Sequence, residues 1–147
     1  MIVNKKAYHN YDVKDTVEAG IVLQGQEVKS IKDGRVQFDD SFVKEVGGNL
    51  VLINADISKY KYSSDNNYDS KRTRKLLLHK SEIINLISKC KQGGMVLIPL
   101  KMYVVRGKVK VLVGIGRGRK QHEKKNVEKE KTLTRELHRE QRKYMVK

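Results

Sequence analysis

The chain has 147 residues, of which 38% are hydrophobic and 33% charged, with 32 Lys and Arg against 17 Asp and Glu for a formal net charge of +15. That length allows one compact domain with an appendage. The charge calls for a polyanionic partner, because so large an excess repels itself in the compact state. The longest apolar run, Met95–Leu100, is far short of a bilayer span, and Met1–Tyr11 has no apolar core of the kind a secretory leader needs. A single cysteine, Cys90, rules out an internal disulfide and suits a reducing cytoplasm.

In chain order, Asn4–Tyr11 interleaves basic residues with aromatics. Asp15–Gln24, with Val17, Ile21 and Leu23, predicts a strand, and Gln26–Lys32 predicts a short helix stopping at Gly34. Ser41–Val46, Gly47-Gly48-Asn49 and Leu50–Ile57 read as strand, tight turn and strand. The polar stretch 54–75 predicts a long exposed loop, and nothing in Tyr60–Asp69 assigns that part a role. Ser81–Lys91 carries the apolar stripe Ile83, Ile84, Leu86 and Ile87, predicting a helix capped by Ser81 and stopped by Gly93. A second hairpin follows, Met95–Val105 and Lys108–Ile115 about Arg106-Gly107. Val109, Val111 and Val113 face one way, with Lys108, Lys110 and Leu112 opposite. Short antiparallel strands with few helices predict a mainly β fold with peripheral helices, a small oligonucleotide-binding-type antiparallel barrel.

The charge divides unevenly. Residues 1–116 hold 20 basic and 12 acidic side chains, and residues 117–147 hold 12 and 5, so the last 31 positions alone carry +7. With few apolar residues, that segment cannot offset the entropy of ordering itself. The expected organisation is a β-barrel RNA-binding domain over 1–116 and a basic C-terminal tail over 117–147, disordered when free. Gly114–Gly118 reads as a flexible hinge between them, because no helix opens there with the Lys-Ser/Thr pair of a phosphate-binding loop.

Catalytic chemistry is hard to find. His9, His79, His122 and His138 lack neighbours at metal-ligand spacing, and Cys90 lies on an apolar helix face as a structural thiol. Asp39-Asp40 and Asp65 with Asp69 read as turn and loop acids. The reading is therefore a protein that is not an enzyme, with no metal, cofactor or small-molecule substrate. Three basic clusters stand out instead: Asn4–Tyr11, Lys71–Lys80 and Gly118–Lys125. One such cluster is ordinarily a solvated face. Three in a chain of +15 point to nucleic acid, with Lys and Arg on phosphates and Tyr or His rings on unpaired bases.

The stretches Glu18-Ala-Gly-Ile-Val-Leu-Gln-Gly-Gln-Glu-Val-Lys-Ser30, Arg74-Lys-Leu-Leu-Leu-His-Lys80 and Gly118-Arg-Lys-Gln-His122 closely resemble the small protein B (SmpB) family of bacterial tmRNA-binding proteins. The resemblance runs in register from about Asn4 to the end of the chain. It implies a protein that binds the tRNA-like domain of tmRNA and delivers it to stalled ribosomes for trans-translation. The composition already reads as cytoplasmic, and the lack of an exposed apolar helix or long unpaired strand makes a monomer the expectation. The resemblance also implies an oligonucleotide-binding-type barrel, in agreement with the pattern above. Asn4, Glu18 and Leu77 align with the surface that meets the tRNA-like domain. Asn4 would donate to and accept from a base edge or ribose hydroxyl, Glu18 would accept from a base amino group, and Leu77 would pack on a base face. Lys5, Lys6, Glu27, Lys29, Lys71, Arg72, Arg74 and Lys75 are the expected backbone-contacting or supporting neighbours.

The resemblance gives the tail a separate task, entering the empty mRNA path and decoding centre of the small subunit and folding there against rRNA. Leu133, Leu137 and Tyr144 would stripe such a helix, and Glu136 and Glu140 sit at helical spacing from arginines. His122 would stack on a decoding-centre base, with Gly118, Arg119, Lys120, Gln121, Lys124 and Lys125 around it. Where the family often reads Asp-Lys-Arg after this histidine, the chain has Glu123-Lys124-Lys125, which keeps the charge but removes arginine's bidentate grip on phosphate. The rival readings are a ribosomal protein or general structured-RNA binder, and an RNA-processing enzyme, which would need an acidic or metal pair.

Overall fold

The computed structural model describes residues 1–38 and 40–119. In chain order the elements are β1 (Ile2–Val3), α1 (Lys5–Asn10), β2 (Tyr11–Ile21), α2 (Gly25–Lys32), β3 (Val36–Gln37), β4 (Phe42–Val46), β5 (Asn49–Ile53), β6 (Asp56–Ile57), β7 (Arg74–Leu77), α3 (Lys80–Gly93), β8 (Val96–Val105) and β9 (Lys108–Gly118). Six strands close a ring in the order β8-β4-β5-β7-β2-β9, because β9 pairs with β8 as well as with β2. This is the mainly β, barrel-like body with peripheral helices that the pattern predicts.

The long strands follow the alternation closely. Val109, Val111, Val113 and Ile115 all point into the barrel, where they meet Leu50, Leu52, Leu76, Leu97 and Met102. From the helices, Ile31 of α2 and Ile83 and Leu86 of α3 join the same cluster. The lone proline, Pro99, sits where the β8–β9 register shifts between Pro99 and Lys101, a place where its missing N–H does least harm. A smaller cluster forms outside the barrel, with Ala7 of α1 on Ile98 and Leu100.

The boundaries differ from expectation in instructive ways. β2 starts at Tyr11 and ends at Ile21, and Asn4–Tyr11 is mostly the helix α1. β9 runs through Gly116 to Gly118, so Gly114–Gly118 is strand and not a hinge, paired Tyr11↔Gly118, Asp12↔Arg117 and Val13↔Gly116. Glycine is needed there, since a Cβ on Gly116 would lie 2.4 Å from the Asp12 carbonyl oxygen. The helix α3 is capped by His79, whose N–H donates to Glu82 Oε1 (3.2 Å), and closes on Gly94 at φ 60°, not on Ser81 and Gly93. Cys90 packs half-buried on the edge of the core, and burial pushes its thiol pKa up. The weakest seam is β4–β8, held by the single pair Val43↔Leu97.

Candidate nucleic-acid interface

The strand registers assemble an outward face from β7, β2, β9 and β8. Leu77 stands opposite Gly20, Gly20 opposite Lys110, and Lys110 opposite Tyr103, which forms one row. The next row is Glu18, Leu112 and Lys101. Partners in an antiparallel ladder share a side, so these side chains leave the barrel together while Ala19, Leu76, Met102 and Val111 face inward. Lys75, two residues before Leu77, is exposed on the same side of β7. The face therefore joins Glu18 and Leu77, which sequence alone kept far apart.

Leu77 is 52% exposed while its neighbour Leu76 is buried, so Leu76 supplies the inward leucine and leaves Leu77 for the surface. A Cβ on Gly20 would come within 3.1 Å of Leu77 Cβ, so glycine is what lets Leu77 lie over β2. Beside them is a cleft of about 330 Å³, walled by Leu23, Val28 and Leu77 and rimmed by Lys108 and Lys110. Glu18 is exposed, and one of its oxygens, Oε2, accepts from the Tyr103 hydroxyl at 2.5 Å. Burial, together with the hydrogen bond and the charge of Glu18, pushes the Tyr103 pKa up to about 12, so the phenol is a donor at neutral pH. On the far side, Lys101 Nζ lies 6.0 Å from the centre of the Tyr8 ring on α1. The result is an apolar and carboxylate centre flanked by ammonium groups, suited to a base edge with phosphates on either side. Tyr103 and Lys101 carry no signal of this placement in the sequence, whereas the alternation of the last strand sets Lys110 and Leu112 on the side opposite its valines.

Several expected contacts turn out to hold the protein together. Asn4 is buried, and its Nδ2 donates to the carbonyls of Pro99 (2.8 Å) and Phe38 (3.1 Å) while Oδ1 accepts from Ala7 N–H (3.1 Å) as the cap of α1. Both amide hydrogens are committed to protein, which corrects the expectation of a base-reading asparagine. Glu27 and Arg74 are both fully buried. Glu27 Oε1 accepts from Gln24 N–H (2.8 Å) and Arg72 Nη2 (2.6 Å), and Oε2 accepts from Arg74 Nε (2.7 Å). Arg74 also donates to the carbonyls of Ala55, Arg72 and Ser70 at 2.8–2.9 Å. Burial pushes the Glu27 pKa up, but these hydrogen bonds and the arginine charges outweigh it and hold the carboxyl below its usual value. Of the expected neighbours, Glu27, Arg72 and Arg74 thus form an internal staple, and Arg74 cannot reach a phosphate from where it lies.

The remaining cations are on the surface. Lys5 and Lys6 are exposed on α1, where Lys6 Nζ meets Asp40 Oδ1 at 2.6 Å and the Lys6 hydrogen bond and charge lower the Asp40 pKa. Lys29 is exposed on α2 and Lys71 is exposed before β7. Gly118 ends β9, and Arg119 N–H donates to Asn10 O at 2.8 Å. Lys120, Gln121, His122, Lys124, Lys125 and the predicted tail helix lie outside the described residues. Among the described residues, no group of three His, Cys, Asp or Glu is placed to hold a metal ion, and no helix is long and apolar enough to cross a membrane.

Comparison with known proteins gives this face its context. The SmpB protein family matches residues 1–143. An SsrA-binding protein of Geobacillus sp. strain WCH70 is 48% identical over 136 residues, covering 92% of this chain and 88% of that protein. One from Anoxybacillus flavithermus strain WK1 is 47% identical over the same coverage. Among solved structures, a chain described under "tmRNA-SmpB: a journey to the center of the bacterial ribosome" superposes with a TM-score of 0.64 at 47% identity, covering 77% of this chain and 80% of the other. A family match over nearly the whole length, close relatives in sequence and a barrel shared at that identity agree: the chain belongs to the SmpB family.

Proposed function

We propose that the protein binds the tRNA-like domain of tmRNA through the outward face of β7, β2, β9 and β8 and delivers it to ribosomes stalled in the cytoplasm for trans-translation. The basic segment after Arg119 then occupies the empty mRNA path and decoding centre, with His122 stacking on a base and Lys120, Lys124 and Lys125 on phosphates. The protein acts as a binding and delivery factor without chemistry of its own. The observation that carries this reading is the two adjacent rows that bring Leu77 and the Tyr103-bound carboxylate of Glu18 onto one surface, with Lys75, Lys101 and Lys110 around them. In it Glu18 accepts from a base amino group, Leu77 and Leu112 cover a base face, and the lysines set register on the backbone. Its membership of the SmpB family supports the same reading.

The test is binding of the full chain to the tRNA-like domain of tmRNA and to an ordinary tRNA. Glu18→Gln and Leu77→Ala should each weaken the tmRNA complex by about tenfold, as loss of a base contact does, and leave ordinary tRNA binding nearly unchanged. Equal loss on both RNAs, or no loss on either, would contradict the assignment.

A further inference from the structure

A second feature of the surface lies on other elements. The segment between β6 and β7 is polar in sequence, yet it is tied down at several points. Ile57 N–H donates to Ser70 O (2.9 Å) and Ser58 N–H to Arg35 O (3.0 Å). The Tyr68 hydroxyl donates to Ile57 O (2.6 Å), Arg74 Nη2 to Ser70 O (2.9 Å), and Gln26 Nε2 to Asp65 Oδ2 (3.3 Å). The buried Glu27–Arg74 pair is thus the anchor of this loop.

What the anchored loop presents is a pair of tyrosines with lysines on them. The Tyr60 and Tyr62 rings meet edge to face, with centroids 5.4 Å apart. Lys29 Nζ of α2 lies 5.3 Å from the Tyr60 ring centre, and Lys61 Nζ lies 4.9 Å from that of Tyr62. Tyr62 is 74% exposed and has no place in the core. An exposed cation–π contact is worth only about 0.5–1 kcal/mol, so either ammonium can be given up to a phosphate at small cost. A ring already held in place, with cations one phosphate's reach away, is the combination that single-stranded nucleic acid uses for stacking and charge neutralisation.

We propose that Tyr62, backed by Tyr60 and flanked by Lys29 and Lys61, is a second RNA-contact surface that stacks on an unpaired base and holds the phosphates beside it. The surface is separate from the barrel face that carries Glu18 and Leu77. Its ligand is an unpaired stretch of RNA, not a base-paired arm.

The test uses the full chain and an octauridylate carrying one 5-iodouridine, which crosslinks on irradiation to an aromatic ring stacked on it. The expected result is a crosslinked peptide containing Tyr62. At fixed salt, Tyr62→Ala should lower octauridylate affinity by about tenfold, and Tyr62→Phe should stay within about twofold. The basic segment after Arg119 is present in every variant, and the crosslink position shows which ring the base stacks on whatever that segment binds. Crosslinks confined to other peptides, or an unchanged affinity for Tyr62→Ala, would overturn the proposal and leave this patch to a protein partner or to solvent. Neither result bears on the barrel face, which the tmRNA-domain binding of Leu77→Ala reports separately.

Discussion

At the scale of single residues, position in the barrel decides role more than residue type does. Arg74 and Lys75 are adjacent cations, yet one is sealed under α2 and the other faces water. Removing the charge from Glu27 leaves a buried guanidinium without its counter-ion. Glu27→Gln should therefore cost about 3 kcal/mol or more of stability, read from urea unfolding midpoints at neutral pH. Because folding lowers the Glu27 pKa, its contribution is present above the ordinary carboxylate value and is lost as pH falls through the lowered one. The variant should accordingly lose less stability than the parent between neutral pH and about pH 3. Tyr103→Phe removes only the donor to Glu18, with no change in packing volume. It should weaken the tmRNA-domain complex by about fivefold, the worth of one ordinary hydrogen bond, and lower the unfolding midpoint only slightly. The hydrogen bond itself should persist past pH 10, the ordinary phenol value, and fail only as pH rises through about 12.

At the scale of elements, the hairpin of β8 and β9 was legible because Val109, Val111 and Val113 alternate without interruption and Arg106-Gly107 marks the turn. The hairpin of β4 and β5 was legible for the same reason, with Gly47-Gly48 at positive φ. What could not be read were elements whose existence depends on a distant partner. β1, β3 and β6 are two residues each, too short to show a period, and are ordered by β8 and by one another. The six-residue helix α1 shows no stripe of its own and is fixed by Asn4 bonding to Pro99 and Phe38. The site was half legible: Leu77 and Glu18 came from resemblance, and their meeting through Gly20 needed the register. The sequence leaves Arg74 open between a backbone-contacting and a supporting role, and its spacing of two from the inward Leu76 decides for support. The end of β9 is the element most open to test. Gly116→Ala must move the backbone of Asp12 and break the last pairs with β2, so it should lower stability by about 2 kcal/mol or more. Thermal unfolding would show this as a clear drop in midpoint.

At the scale of the whole molecule, charge is densest away from the proposed recognition face. The body carries the face with Glu18 and Leu77, whereas residues 117–147 carry +7 of the total +15. A phosphate-driven binder would lose affinity steeply with salt and show no choice among RNAs. A factor that reads one RNA with its barrel should keep its preference when the basic segment is removed. Because Arg119 still bonds to Asn10, the cut belongs after Arg119 and not after Gly116. The most direct measurement is the affinity of the full chain, and of a chain ending at Arg119, for the tRNA-like domain of tmRNA and for an ordinary tRNA across a salt series. The account predicts that both chains prefer the tmRNA domain by a similar factor, with a shallower salt dependence for the shorter one. Loss of that preference in the shorter chain, with both RNAs bound equally weakly, would contradict it.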